Sequence, residues 1–308
     1  MRVLITGANG FAAKYLKAEL VQFGYEVIGI DCIKSEQVDE IDILDFCAMK
    51  DYIQCKKPDI IYHLAGFTSV SQSWQQPQDT FMLNVVGSIN VLEAVKAVDT
   101  NIKIVLIGSS DHYGKINLED NPLKENNIMN PISPYAISKR TQEDIGKMYH
   151  DVYNMKVYMT RTFNYIGIGQ RLGFVVMDFA NGIVEAESSE AAMIKVGNLS
   201  SKRCFTDVRD VMRAYRLIVE KGKTGVVYNV GSNKVYEIGE ILNLFLRFAK
   251  KEIQVERDEQ KVRAFDAPYL QCDSTLLTKD TGWEPTIPIE QTLREILEYF
   301  RQQKRGSQ

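Results

Sequence analysis

The chain has 308 residues, of which 45% are hydrophobic and 25% are charged. These values are average for globular proteins and exclude a disordered, coiled-coil or collagen-like chain. The formal net charge is −3, and no block of basic residues suggests a nucleic-acid partner. The five cysteines are dispersed and form no C-x-x-C motif, so we expect reduced thiols rather than disulfides or a metal site.

The N-terminus leaves no room for a signal peptide, because Met1 leads directly into an apolar strand pattern. We find no apolar run approaching the roughly 18 residues that a membrane span requires. The sequence therefore predicts a soluble, cytoplasmic protein with no membrane contact.

Short apolar runs alternate with longer amphipathic stretches in the first half of the chain. The runs predict strands at 2–6, 26–30, 60–64, 104–107 and 157–160, and the stretches predict helices near 11–23, 46–54, 77–98 and 134–153. Continuous apolar strands separated by helices indicate a parallel sheet covered on both faces, hence a doubly wound α/β fold.

The regular alternation fades after about Phe163. Helices are predicted at 174–187 and 208–220, and strands at 192–196 and 226–230. We expect residues 1–165 to form the larger domain, with return segments near 204–232. Residues 166–308 then form most of a smaller C-terminal α/β domain.

A glycine-rich turn, Gly7-Ala8-Asn9-Gly10-Phe11-Ala12-Ala13, follows the first strand and opens a helix. Gly7 permits the tight turn, Gly10 lets the backbone approach a pyrophosphate, and Ala13 is small enough for the helix to pack on the strand. The helix N-terminus favours the negative charge of the diphosphate. The turn predicts a dinucleotide site in residues 1–165 that includes Gly7, Asn9, Gly10, Phe11 and Ala12.

Asp31 ends the second strand at about the distance that the dinucleotide fingerprint requires. A carboxylate there accepts hydrogen bonds from the adenosine ribose and repels a 2′-phosphate, which favours NAD(H). Nearby Lys34 leaves NADP(H) as the alternative. Asp42 and Ile43 lie where they would meet the adenine, although a solvated loop fits this stretch equally well.

Tyr135 and Lys139 are four residues apart in a helix for which Ser133 is the expected N-cap and Pro134 the first residue. This spacing places both side chains on one helix face. A tyrosine with an ordinary pKa near 10 needs a nearby cation to work as an acid or base, and Lys139 supplies it.

Ser109 lies at the carboxyl end of the fourth predicted strand, where ligands bind in open α/β sheets. Ser109 and Tyr135 would supply two donors to one substrate oxygen. Asp111 is a candidate general base, although a Ser-Asp turn needs no chemistry, and His112 is expected to be a structural turn residue.

These residues carry a family resemblance that spans nearly the whole chain. The sequence resembles the extended short-chain dehydrogenase/reductases that act on nucleotide sugars. Its marks are Thr6-Gly7-Ala8-Asn9-Gly10-Phe11, His63-Leu64-Ala65-Gly66, Asn84-Val85-Val86-Gly87-Ser88, Ser109-Ser110, Tyr135-x-x-x-Lys139, Arg161-Thr162-Phe163-Asn164 and the run from Arg203 to Asp210.

Within that superfamily, the chain is similar to the GDP-6-deoxy-4-keto-mannose reductases, which form GDP-rhamnose, and to the sister GDP-mannose 4,6-dehydratases. The resemblance implies that the C-terminal domain binds a GDP-sugar. It also implies further cofactor contacts at Leu64, Ala65, Gly66, Asn84 and Phe163, and substrate contacts at Ser110, Asn164, Arg171, Val175, Lys195, Arg203, Arg263 and Asp266. The sequence departs from the family pattern at Ala13, Ile168 and Asp266.

The first hypothesis that the resemblance implies is an enzyme that reduces the keto-sugar at C4. A dehydratase would use the same Ser109, Tyr135 and Lys139. It also needs a carboxylate that removes the proton at C5, and the glutamate of that family is replaced here by the shorter Asp111. A C4 epimerase is the third enzymatic hypothesis. The non-enzymatic alternative is an NAD-binding sensor or scaffold. The family also implies a homodimer whose four-helix seam would use helices at 81–98 and 135–153.

Overall fold

The computed structural model describes residues 1–259 and 269–306. Strands and helices are numbered in the order in which they occur in the chain. The strands are β1 (Arg2–Thr6), β2 (Glu26–Asp31), β3 (Asp39–Glu40), β4 (Ile60–His63), β5 (Lys103–Ser109), β6 (Lys156–Thr162), β7 (Tyr165–Ile166), β8 (Met193–Val196), β9 (Lys202–Cys204), β10 (Thr206–Asp207), β11 (Val227–Val230), β12 (Val235–Glu237), β13 (Gln254–Arg257) and β14 (Tyr269–Leu270).

The α-helices of the described residues alternate with these strands. They are α1 (Phe11–Gln22), α2 (Phe46–Lys56), α3 (Val70–Gln75), α4 (Pro77–Phe81), α5 (Gly87–Val98), α6 (Pro134–Tyr153), α7 (Val175–Ser188), α8 (Val208–Lys221), α9 (Ile238–Phe248), α10 (Thr275–Thr281) and α11 (Ile289–Gly306). A π-helical turn, Met82–Val86, joins α4 to α5, and 3₁₀ turns span Ser110–His112 and Leu118–Asp120.

Seven parallel strands form the main sheet in the order β11-β6-β5-β4-β1-β2-β3. Buried side chains of α1 and α8, among them Leu16 and Tyr215, belong to the hydrophobic cluster on one face. Met49 of α2 and Val91 of α5 belong to the cluster on the other. The predicted doubly wound parallel α/β fold is confirmed.

The predicted helix 77–98 is present but is interrupted by the π-helical turn. The whole segment is long and apolar enough to cross a membrane by length and composition, which corrects the expectation that no such run exists. Of its most apolar window, 39% is buried inside the protein. Val91, Leu92 and Val95 are fully buried in the core under the sheet, so the segment has the burial of a core helix.

Residues after Ile166 build a second hydrophobic core from α7, α9, α11 and β8. Small sheets accompany it, in the orders β10-β7, β12-β9-β14 and β13-β8. Part of the C-terminal half returns to the main sheet: β11 is its edge strand, and Leu277 and Trp283 pack into the cluster around α8. The carboxyl ends of β1, β4, β5 and β6 therefore lie beside segments from both halves of the chain.

Candidate active site

The glycine-rich turn leaves the carboxyl end of β1 and enters α1 at Gly10. Gly7 has φ +69°, and a Cβ there would lie 2.8 Å from the backbone N and Cα of Ala65. Gly10 donates its N–H to the carbonyl of Gly7 at 3.0 Å, and no side chain caps the helix. Ala13 is buried in the helix–sheet interface. The turn is thus tight and has no side chain at Gly7 or Gly10, so it fits the pyrophosphate of a dinucleotide.

Asp31 lies at the end of β2 with its carboxylate fixed by backbone donors. Asn9 N donates to Asp31 Oδ2 and Ile33 N donates to Asp31 Oδ1, both at 3.2 Å. The Asn9 side chain donates to the Ile33 carbonyl at 2.6 Å and accepts from the Ser35 hydroxyl at 2.7 Å. The carboxylate therefore lies beside the glycine-rich turn in a fixed orientation, as a ribose acceptor requires.

The loop of Asp42 and Ile43 is held from α5. Asn90 Nδ2 donates to the carbonyls of Ile43 and Leu44 at 3.0 and 2.9 Å, and the Ile43 side chain is buried. Asp42 is exposed and accepts from Leu44 N at 2.9 Å. Ile43 is thus packed against the protein, whereas Asp42 faces solvent.

Asn84 fastens the loop Leu64-Ala65-Gly66 to the rest of the site. Its Oδ1 accepts from Phe67 N at 2.7 Å, and its Nδ2 donates to the Ser138 hydroxyl at 2.9 Å. A Cβ on Gly66 would lie 2.6 Å from Asn84 Oδ1. Asn84 sits in the π-helical turn, a feature common at functional sites, and its amide contacts protein groups on both sides.

Tyr135 and Lys139 both face the buried side of α6, which begins with the predicted cap: Ser133 Oγ accepts from Ala136 N at 3.1 Å. Burial, and next the charge of Asp111, raise the pKa of Tyr135 above its ordinary value, whereas a side-chain hydrogen bond with Ser109 opposes the rise. Burial lowers the pKa of Lys139 to about 8. The structure thus brings Ser109, Asp111, Tyr135 and Lys139 together.

The Ser109 turn rests on a buried ion pair. Ser109 N donates to His112 Nε2 at 3.4 Å, so the proton of the neutral ring is on Nδ1, which lies 3.1 Å from Glu143 Oε2. Arg161 Nη2 donates to Glu143 Oε1 at 2.6 Å. Burial alone would raise the pKa of Glu143, but the hydrogen bonds from Arg161 and His112 lower it to about 2. His112 is thus a structural support under Ser109.

The segment after β6 contacts the glycine-rich turn directly. The rings of Tyr165 and Phe11 stack with centroids 6.1 Å apart, and Tyr15 donates its hydroxyl to the Ile168 carbonyl at 2.8 Å. Asn164 is exposed beside this contact and accepts from Thr206 N at 3.0 Å. The predicted cofactor and substrate segments therefore meet at this edge of the sheet.

The other predicted substrate residues are spread over several elements. Arg171 Nη2 lies 3.5 Å from the Thr68 hydroxyl and faces the loop after β4. Val175 is the first residue of α7, Lys195 is exposed on β8, and Arg203 lies on β9 with its guanidinium donating to the Lys202 carbonyl. Ser110 follows Ser109 and is buried, as is the Phe163 side chain. Arg263 and Asp266 lie outside the described residues.

Sequence reasoning did not predict the buried hydrogen bonds among several polar residues beneath the site. Thr6, His63, Ser88 and Gln142 are fully or almost fully buried and hydrogen-bonded to one another. Two sequence patterns could have indicated these contacts. They are polar pairs four residues apart in helical segments that pack on the sheet, namely Asn84 with Ser88 and Ser138 with Gln142.

Comparisons with known proteins identify a matching family and similar structures. A family model described as GDP-mannose 4,6 dehydratase matches residues 4–296. The chain is 31% identical to the GDP-6-deoxy-D-mannose reductase of Pseudomonas aeruginosa over 96% of each chain. The structure of RMD from Pseudomonas aeruginosa complexed with NADPH has a TM-score of 0.89, with 30% identity over 98% of this chain and 99% of that one.

A similar likeness extends to an epimerase. The structure of UDP-glucose 4-epimerase from Thermotoga maritima with UDP-glucose has a TM-score of 0.88, with 28% identity over 99% of this chain and 100% of that one. The shared fold thus serves reductases and epimerases alike, and the reaction must be argued from the site.

Proposed function

The chain belongs to the GDP-mannose 4,6-dehydratase family of extended short-chain dehydrogenase/reductases, and we propose that it reduces the C4 keto group of GDP-6-deoxy-4-keto-D-mannose to give GDP-D-rhamnose, with NAD(P)H as reductant. The observation that carries the proposal is the placement of the buried Tyr135 beside Ser109, since the two hydroxyls could donate to one carbonyl oxygen. The 31% identity to a GDP-6-deoxy-D-mannose reductase over 96% of each chain supports reduction as the direction. Reduction of the ketone consumes the proton of Tyr135.

The side chains of the site suit this step. When bound, the nicotinamide cofactor supplies the hydride, and Tyr135 donates its proton to the carbonyl oxygen. Ser109 polarises the same oxygen as a second donor. Lys139 would hold the cofactor ribose, and its positive charge would stabilise the tyrosinate that remains when Tyr135 gives up its proton.

A 4,6-dehydratase is the second candidate, favoured by the description of the matching family model. That reaction begins with an oxidation, for which Tyr135 must act as a base, and then needs a carboxylate at C5. The candidate carboxylate in this chain is Asp111, one methylene shorter than the glutamate of the dehydratases, and a missing methylene can leave a base out of hydrogen-bond reach of its proton. This difference favours the reductase.

A cofactor-absorbance assay separates the candidates. Purified protein would receive either GDP-mannose or GDP-6-deoxy-4-keto-D-mannose, with NADH or NADPH. We expect one reduced cofactor to be consumed per keto-sugar and no reaction with GDP-mannose. Conversion of GDP-mannose without net cofactor change would establish the dehydratase instead, and epimerisation at C4 without cofactor consumption would establish an epimerase. Cofactor binding without turnover would support the sensor.

We propose that Asp31 makes NADH the preferred cofactor. Its fixed carboxylate would accept from the ribose and repel a 2′-phosphate. Asp31→Ser should raise the ratio of kcat/KM for NADPH over NADH about tenfold or more, because about 1.4 kcal/mol of charge repulsion is a factor of ten. The exposed Glu36→Ser is the control and should leave the ratio unchanged. A wild-type preference for NADPH would contradict the proposal.

We propose a homodimer formed through α6 and the helical segment 77–98. Their outer faces carry exposed apolar side chains, namely Phe81, Met82, Val86, Ile137, Met148 and Val152. On α6 these residues recur at spacings of 11 and 4, which places them on one stripe. Burying such a patch is the usual way in which a second copy associates.

Met148→Lys should convert the dimer to a single chain, because it places a charge in the proposed seam. Light scattering after size-exclusion chromatography measures the mass. Val21→Lys, an exposed apolar position on α1, should leave the dimer intact. A wild-type protein with the mass of one chain would refute the seam.

We further propose that the protein works in the cytoplasm, where nucleotide sugars and reduced cofactors are available. Residues 1–165 and the return segments near 204–232 would hold the dinucleotide, and residues 166–308 most of the GDP-sugar. The separate hydrophobic core of α7, α9, α11 and β8 supports this division, and the hydrogen bond from the Tyr15 hydroxyl to the Ile168 carbonyl joins the two regions.

A further inference from the structure

Gln142 lies one turn after Lys139 on the inner face of α6 and is almost completely buried. Lys139 Nζ donates to Gln142 Oε1 at 2.9 Å and to the Ile107 carbonyl at 2.7 Å. Both acceptors are neutral oxygens. An ammonium has three donors, so these two bonds fix its position on one side.

The amide nitrogen of Gln142 continues a chain of buried hydrogen bonds. Gln142 Nε2 donates to Ser88 Oγ at 2.8 Å, and Ser88 uses its own proton on the Asn84 carbonyl at 2.6 Å. Ser88 Oγ can therefore only accept from His63 Nε2, which lies 3.0 Å away.

The chain ends beside the glycine-rich turn. Because His63 carries its proton on Nε2, its Nδ1 accepts from the Thr6 hydroxyl at 2.8 Å, and Thr6 Oγ1 accepts from Ala65 N at 3.1 Å. Each hydrogen bond in this chain thus has a fixed direction. The amide of Gln142 cannot rotate without breaking bonds at both of its ends.

The charges around Lys139 are compatible with a neutral support. His63 faces it from β4, and burial together with the charge of Lys139 lowers the pKa of His63 to about 3, so this ring remains neutral. His112 faces it from the 3₁₀ turn, and the pKa of His112 is lowered chiefly by burial. Asp111 of the same turn acts on Tyr135, whose pKa it helps to raise. Tyr135 and Glu143 lie on the same helix, and the charge of Glu143 is paired with Arg161 of β6.

We propose that Gln142 is a positioning residue for Lys139, holding the ammonium through its amide oxygen while the Ser88–His63–Thr6 chain holds the amide. The remaining donor of Lys139 is thereby directed to the cofactor ribose and to Tyr135. This inference rests on the proposed function for the role of Lys139, but it concerns cofactor binding as well as turnover.

A neutral acceptor has a consequence for pH dependence. Burial places the pKa of Lys139 at about 8, so its charge is present below that pH and is lost above it. A carboxylate at position 142 would stabilise the ammonium and raise this pKa by about one to three units. An apolar side chain there would remove an acceptor and lower it.

The test compares Gln142→Glu and Gln142→Met with the wild type. The dissociation constants of NADH and NADPH, measured by fluorescence from pH 6 to 10, should weaken near pH 8 in the wild type. The pH of this weakening should move upward in Gln142→Glu and downward in Gln142→Met. The pH at which kcat for the keto-sugar falls should shift in the same directions. Thr141→Val, which removes a hydroxyl bonded within the helix to the Ile137 carbonyl, should behave as the wild type.

Opposite shifts in the two variants support the positioning role, because structural damage would move both in one direction. Unchanged pH profiles, or shifts of the same sign, would overturn it. Should Gln142→Met fail to fold, the nearly isosteric Gln142→Glu still decides: an upward shift supports the role, and an unchanged or downward shift overturns it. The binding arm contains no sugar, so it reports on Gln142 even where turnover of the keto-sugar, and with it the proposed function, fails.

Discussion

Tyr135→Phe is expected to lower kcat for the keto-sugar by roughly 10²- to 10⁴-fold, the usual contribution of a general acid. The substitution removes the hydroxyl that lies beside Ser109 and leaves the ring in its buried position. Binding of NADH should remain nearly intact, since the glycine-rich turn and Asp31 are untouched. Steady-state kinetics and fluorescence titration measure the two effects separately.

Tyr299→Phe on α11 provides the matched control, because it removes a tyrosine hydroxyl far along the chain from the site. We expect this variant to keep the wild-type kcat. Near-normal turnover by Tyr135→Phe would refute the assignment of the acid, and an equal loss of cofactor binding would show that the hydroxyl serves the ribose.

Arg161→Met is expected to lower the free energy of unfolding by about 3–5 kcal/mol, the usual cost of removing one partner of a buried ion pair. Glu143 would keep only His112, and its charge would stay buried within the protein. Unfolding in urea at pH 7 measures the loss. Arg140→Met, which breaks the exposed pair with Asp144 on the same helix, should cost about 1 kcal/mol or less.

The pH dependence of this loss follows from the lowered pKa of Glu143. A carboxylate whose pKa falls from its ordinary 4.5 to about 2 on folding stabilises the protein above pH 4.5, and this contribution is lost as the pH falls toward 2. The difference between wild type and Arg161→Met should therefore shrink when the pH is lowered from 7 to 4. A difference independent of pH would contradict the ion-pair explanation.

The main sheet and the glycine-rich turn could be predicted because their signals are local. Apolar runs such as Val3-Leu4-Ile5 identify buried strands, and Gly7 and Gly10 identify a turn whose geometry few other residues tolerate. The placement of Tyr135 and Lys139 on one helix face could be predicted equally well from helix periodicity. The fold of residues 1–165 follows from such patterns.

The hydrogen-bond chain beneath Lys139 could not be predicted in the same way. Thr6 and His63 are 57 residues apart, and Ser88 and Gln142 are 54 apart, so only the assembled sheet brings them together. The π-helical turn at Met82–Val86 also lacks a local signal; it coincides with the side-chain bonds of Asn84. The two-residue strands after Phe163 were missed because they are too short to show alternation.

Transfer of deuterium to the sugar tests the central proposal most directly. The wild-type enzyme would be given GDP-6-deoxy-4-keto-D-mannose with NADH deuterated at the transferred position, and the product would be analysed by NMR. We expect one deuterium at C4 of GDP-D-rhamnose for each NADH oxidised. A sugar product without deuterium at C4, or recovery of unreduced keto-sugar while GDP-mannose is dehydrated in a parallel reaction, would contradict it.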